Sequence, residues 1–206
     1  TGLLGDWFCH NADGAVWALK LYEADTCEVE CEGEEPGETN WPHGVRVSWK
    51  FPRRGDMVPC IMRWSSGTYN DKPMPPTVDP ERVASVANHP SAYFGTKGTA
   101  VSGWWMGGVR LFPESFMKEV GKPKAVLSRV KGHEADFLDA IRTGGRSSAD
   151  FDYSARLTEI MLVGNVASRV REKLTYDFRK GKFTNSDKAN ALLKRAPRKG
   201  WEFGYA

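Results

Sequence analysis

The sequence predicts an α+β fold, a mostly antiparallel open sheet with helices packed on one face. Three observations carry that prediction. Three segments between Cys27 and Ser65 alternate apolar and polar residues with period two, as strands do when one face meets a core and the other faces outward. The second and third are joined by Pro52-Arg53-Arg54-Gly55-Asp56, which makes them an antiparallel hairpin. Helical patterns precede and follow these strands, so the elements assemble as an α+β layer.

Taken in order, the first helix is expected from about residue 6 to 21. Trp7, Phe8, Val16, Trp17, Leu19 and Leu21 supply its apolar contacts, and Gly14 weakens its interior. In the first strand Cys27, Val29 and Cys31 alternate with Glu28, Glu30 and Glu32. In the second, Val45, Val47, Trp49 and Phe51 alternate with Arg46, Ser48 and Lys50. In the third, Val58, Cys60, Met62 and Trp64 alternate with Pro59, Ile61, Arg63 and Ser65. The polar rows are acidic on the first strand and basic on the second, so as neighbours they would pair charge across the ladder.

Residues 66–92 are rich in Pro, Asn, Asp and Ser and read as a long surface excursion. A Gly-punctuated strand pair follows, around 92–95 and 99–105, and then a short helix within 111–124. Residues 133–143 read as a helix closed by Gly144-Gly145. The clearest helix runs from 152 to about 173, with Leu157, Ile160, Met161, Gly164 and Ala167 as its inner stripe. A short strand near 175–178 and a helix over 187–194 complete the chain, which shows no internal repeat.

A chain of 206 residues suffices for one domain with an adequate core. Its 40% hydrophobic and 27% charged residues are those of a soluble globular protein. No stretch approaches the roughly 20 apolar residues of a membrane span, and no signal peptide is visible, which leaves localisation open. A net charge of +3 is too small and too scattered to argue for nucleic acid, and Arg195 to Lys199 read as a solvated segment. Cys9, Cys27, Cys31 and Cys60 form no Cys-x-x-Cys pair, so they read as free thiols rather than zinc ligands or disulfides. The eight tryptophans read mainly as core, with some left to line a sugar site.

The functional signal is Asp6 and His10, four residues apart at the opening of the first helix. That spacing puts both on one face, close enough to hydrogen-bond and to approach one substrate atom together. A carboxylate beside an imidazole fixes the ring's tautomer and raises its proton affinity, as a general base requires. A place in the helix's first turn would also favour Asp6 ionised. Asp13, one turn further on, is a candidate for binding a substrate hydroxyl or for bracing the helix. Two ligands with no third nearby are thin support for a metal, and none is expected. His133, Asp150 and Asp152 read as helix-entry residues, and His43 and His89 as loop residues without a role.

Gly5-Asp6-x-x-x-His10-x-x-Asp13 resembles the active-site helix of the Gfo/Idh/MocA oxidoreductases, the glucose-fructose oxidoreductase and inositol dehydrogenase family. Gly132-His133-x-x-Asp136-Phe137-Leu138-x-Ala140-Ile141-Arg142-Thr143-Gly144 is similar to a helix of that family's C-terminal domain. So are Leu157-Thr158-Glu159-x-x-Leu162-x-Gly164-Asn165-x-Ala167-x-Arg169, Phe183-Thr184-Asn185-Ser186 and Arg198-Lys199-Gly200-Trp201. The 66–92 excursion and the tryptophans look most like the bacterial, carbohydrate-related subgroup.

The resemblance implies that residues 1–206 are one C-terminal substrate-binding and oligomerisation domain, opening at Thr1 just before its active-site helix. The family's N-terminal Rossmann domain, which binds NAD or NADP, would then lie outside this chain. No Gly-x-Gly-x-x-Gly follows a strand here, and the family's Glu-Lys-Pro motif is missing, so these residues alone are expected to be inactive. In the whole protein His10 would be the base, Asp6 its partner and Asp13 a substrate contact, with a sugar, cyclitol or polyol as substrate. The open sheet face would meet another subunit in a homo-oligomer. Competing readings are glycoside cleavage through transient NAD-dependent oxidation, and a non-catalytic dimerisation or carbohydrate-binding module.

Overall fold

The computed structural model describes residues 1–69, 72–73 and 89–202. Helix α1 (Gly2–Ala18) begins four residues before its expected start and ends three before its expected end. Asp6 therefore lies in the second turn and not at the dipole-favoured N-terminus, which corrects the electrostatic expectation for it. The helix stops because Lys20 turns left-handed, at φ +50°, and the chain enters a 3-10 turn over Leu21–Glu23. Leu21 extends the apolar pattern beyond the helix because it is buried from that turn.

Strands β1 (Thr26–Gly33), β2 (Val45–Phe51) and β3 (Cys60–Ser66) follow as an antiparallel meander. Val58, expected to face inward, precedes β3 and is exposed. A short ladder pairs β4 (Thr68–Tyr69) with β5 (Lys72–Pro73). Most of the expected 66–92 excursion lies outside the described residues. A second antiparallel sheet contains β6 (Ser91–Phe94), β7 (Thr99–Ser102) and β8 (Arg110–Phe112). Then come α2 (Glu114–Val120), α3 (His133–Thr143) and α4 (Phe151–Val170). Gly144 closes α3 at φ +64°, the left-handed cap that Gly adopts without a Cβ penalty. Asp150 caps α4 by accepting the Tyr153 amide at 3.1 Å, and Arg146 bridges Asp150 and Asp152 at 2.9 and 2.6 Å. The chain finishes with β9 (Leu174–Asp177), β10 (Lys182–Phe183) and α5 (Asp187–Ala191), a helix shorter than expected.

The main sheet has the order β10-β9-β1-β2-β3 and is antiparallel throughout. Its inward row, including Cys27, Val29, Val47, Trp49, Phe51, Leu174 and Tyr176, packs beneath α1 and α4. The Trp49 ring lies 5.4 Å from that of Phe8 on α1, and its Nε1 donates to the Ile160 carbonyl of α4 at 3.0 Å. Gly164 is what lets α4 come so near, since a Cβ there would stand 2.2 Å from Trp49 Cζ2. Both long helices thus share one face of the sheet, as the fold class requires.

The opposite face carries the expected charge rows. Glu32 pairs with Arg46 at 3.5 Å, Glu30 with Lys50 at 3.4 Å and Glu28 with Lys173 at 3.2 Å. Ser48, in register between Glu30 and Arg63, is nonetheless buried, and so is Arg46. The four cysteines are free, and Cys27 is fully buried. Among the described residues no helix is long and apolar enough to cross a membrane, and no group of acidic, His and Cys side chains is arranged to hold a metal.

Candidate functional site

Helix α1 buries Leu4, Phe8, Asn11, Ala12 and Val16, one apolar side every three or four residues. Asp6 and His10 fall on the other side, and both are exposed. The one-turn spacing therefore places them together on an accessible face, as expected. No hydrogen bond joins the two directly. The His10 ring instead sits edge-on to Trp7, with centroids 5.8 Å apart.

The second sheet builds a wall beside this face. Ser91 Oγ on β6 donates to the Asn11 carbonyl at 3.3 Å, fastening that sheet to α1. The turn after β7, a 3-10 turn over Trp104–Met106, then lies along the helix. Trp104 meets Trp7 edge to face at 5.5 Å. Met106 reaches Gly14, where a Cβ would come within 2.6 Å of its Cε. Gly14, a weak point by helix propensity, is thus the notch that admits the methionine. Trp7, His10 and Gly14 form one stripe at i, i+3 and i+7, so His10 lies between the two points where the turn touches α1.

Asp13 is placed differently. It is half-buried against α4, where the Tyr153 hydroxyl donates to its Oδ1 at 2.5 Å and to its carbonyl at 3.1 Å. Burial, and then the hydrogen bond to Asp13, push the Tyr153 pKa well above the usual phenol range. Tyr22 packs its ring edge-on to Tyr153 at 5.3 Å. Of the two roles open to Asp13, bracing the helix is the one with a visible partner. The Cys9 thiol is pushed up by burial and then by the Asp13 charge, so it is no thiolate nucleophile at neutral pH.

The far end of α1 is pinned by a residue that the sequence pattern did not single out. Arg54, buried in the β2–β3 loop, donates to the Leu19 carbonyl through Nε at 3.2 Å and Nη2 at 3.0 Å. It also donates to the Pro52 carbonyl at 2.5 Å. A guanidinium at a helix C-terminus satisfies free carbonyls and opposes the dipole's negative end. A buried Arg in a Pro/Gly turn was the available signal. His133 is exposed at the start of α3, with Nε2 2.8 Å from Glu134.

An exposed acid and imidazole thus sit beside an aromatic wall on an antiparallel α/β scaffold. Residues 112–203 match the family model described as "Oxidoreductase family, C-terminal alpha/beta domain", so this segment of the chain is similar to that domain of the Gfo/Idh/MocA oxidoreductases. The match covers α2 to α5. Helix α1 precedes it but packs directly on α4, which lies within it. No curated protein matches the chain.

Proposed function

We propose that this domain binds and deprotonates a secondary alcohol of a sugar, cyclitol or polyol in an NAD(P)-dependent oxidoreductase. The observation that carries the reading is the Asp6–His10 face of α1, accessible to substrate while its reverse side is locked to α4 of the family segment. His10 accepts the hydroxyl proton on its free ring nitrogen. Asp6, one turn earlier, accepts a hydrogen bond from a second hydroxyl.

A bound nicotinamide would supply the hydride acceptor for the carbon whose hydroxyl His10 deprotonates. All strand pairing among the described residues is antiparallel, so they contain no parallel βαβ turn to cradle a pyrophosphate. In this reading a separate Rossmann unit holds the nucleotide, and the domain alone does not turn over. Phe137 and Ile141, one turn apart on α3, are 56% and 62% exposed and leave apolar surface that such a unit could cover. The charged outer face of the main sheet is our candidate surface for a second copy of the chain.

The test is turnover of a polyol panel by the protein joined to its nucleotide-binding unit, with NAD or NADP. His10→Ala should lower kcat by about two to four powers of ten. Unchanged turnover removes His10 from the role of base. Sedimentation that shows only monomer at high concentration removes the oligomer.

A further inference from the structure

We propose that the Trp104–Met106 turn is a stacking platform for the flat face of a pyranose or cyclitol ring, set beside His10. The proposal rests on the reading of α1 as the catalytic helix and adds to it the part of the site that recognises the ring. Trp104 and Trp105 are 56% and 66% exposed, adjacent large apolar surfaces that a soluble domain ordinarily hides. Trp105 and Met106 hold φ +52° and +61°, a left-handed backbone that bulky side chains seldom adopt and that concentrates at ligand clamps.

The surroundings hold that conformation in place. The Gly103 amide donates to the Gly107 carbonyl at 2.7 Å, closing the loop. Tyr93 and Ser102 hydroxyls approach the Met106 sulfur at 3.2 and 3.7 Å, and the methionine fills the notch at Gly14. The indoles are thus presented on a fixed base, as a preorganised binding surface requires.

The chemistry around them selects the ligand class. A pyranose or cyclitol has an apolar C–H face and a rim of hydroxyls. Indole supplies a large, rigid, electron-rich surface for the face. Asp6 and His10, on the same accessible side of α1, supply polar partners for the rim. Charged groups of this kind are depleted from the centres of protein–protein interfaces, which favours a small polyhydroxylated ligand over a protein here.

The test titrates this chain with methyl β-D-glucopyranoside and with myo-inositol, read by tryptophan fluorescence and calorimetry, without cofactor. D-Glucitol, hydroxylated but open-chain, is the control. The expected result is saturable binding of at least one ring probe, weakened about tenfold for the open chain. Trp104→Ala and Trp105→Ala should each weaken ring binding by about tenfold, as loss of a stacking partner does. Trp104→Phe should keep most of it, and circular dichroism confirms folding of each variant. No saturation with either ring probe overturns the platform, and so does Trp104→Leu binding as well as the parent. A Trp104→Ala variant that changes sedimented mass but not ring binding makes the patch a protein interface, which overturns it too. Turnover that depends on His10 but on neither indole sinks the platform and keeps the oxidoreductase reading. Ring binding that depends on Trp104 without turnover does the reverse.

Discussion

The Tyr153 hydroxyl on α4 lies 2.5 Å from Asp13 Oδ1 on α1, so a phenol and a carboxylate tie together the two helices that cover the main sheet. A hydrogen bond to a charged acceptor contributes about 1.5–3 kcal/mol, towards the lower end where the acceptor keeps access to water. Tyr153→Phe should therefore lower the urea midpoint by an amount equivalent to about 1.5 kcal/mol with an unchanged slope. Asp13→Asn, which still accepts the bond, should lose less.

Arg54 gives a second stability prediction. Arg54→Ala leaves the Leu19 and Pro52 carbonyls short of a donor and should destabilise the domain by about 2–4 kcal/mol in chemical denaturation. Arg54→Lys should recover little, because an ammonium lacks the planar fork that reaches both carbonyls. Full recovery by lysine would mean that charge alone matters at this helix end.

Gly164→Ala tests the close approach of α4 to the sheet. Alanine is favoured in a helix by about 1 kcal/mol, yet the added methyl would collide with the Trp49 ring. Overpacking of about 1–3 kcal/mol should win, lowering the melting temperature. Trp49→Phe makes room but gives up the bond from Nε1 to Ile160, so the double variant should lose less than the sum of the singles.

The cysteines set an alkaline limit. Burial, and then the charge of Glu159, push the Cys27 thiol up to about 12, from 9.0. Burial also pushes Cys31 up to about 11. The folded state therefore holds these protons more tightly than the unfolded chain. Their contribution is complete below about pH 9 and is lost as pH rises through the folded values. Unfolding free energy should fall between pH 9 and 11, and Cys27→Ala should flatten that slope by about 1.4 kcal/mol per pH unit, the effect of one proton. An unchanged slope would rule Cys27 out as its source.

Much of this architecture was written in local pattern. Period two located β1, β2 and β3 because one side of each faces α1 and α4. Gly144 and Asp150 marked helix ends through cap chemistry that involves only neighbouring residues. The start of α1 was misread because Gly2, Leu3 and Leu4 carry no capping signal, and none is used: Thr1 makes no side-chain cap. Asp6 and His10 were legible as a pair, since spacing alone puts them on one face. Asp13 was not resolved by spacing, because its partner is 140 residues away on α4. Trp104 beside Trp7, and Met106 at Gly14, were equally hidden, since they arise where two sheets meet one helix. Only the run Gly103-Trp104-Trp105-Met106-Gly107-Gly108, two bulky indoles between hinges, hinted at a built surface.

Helix α1 is the common wall of both sheets, and its two sides answer to different demands. One side is fixed by Phe8, Val16 and the interior they fill, where nearly any change costs stability. The other meets a loop whose indoles are exposed to solvent. Under the proposed function, new preferences for one alcohol over another would arise by redrawing that loop, while the acid and imidazole keep their spacing. On that reading the loop selects the substrate and the helix carries the reacting groups, so selection could tune the first without disturbing the second.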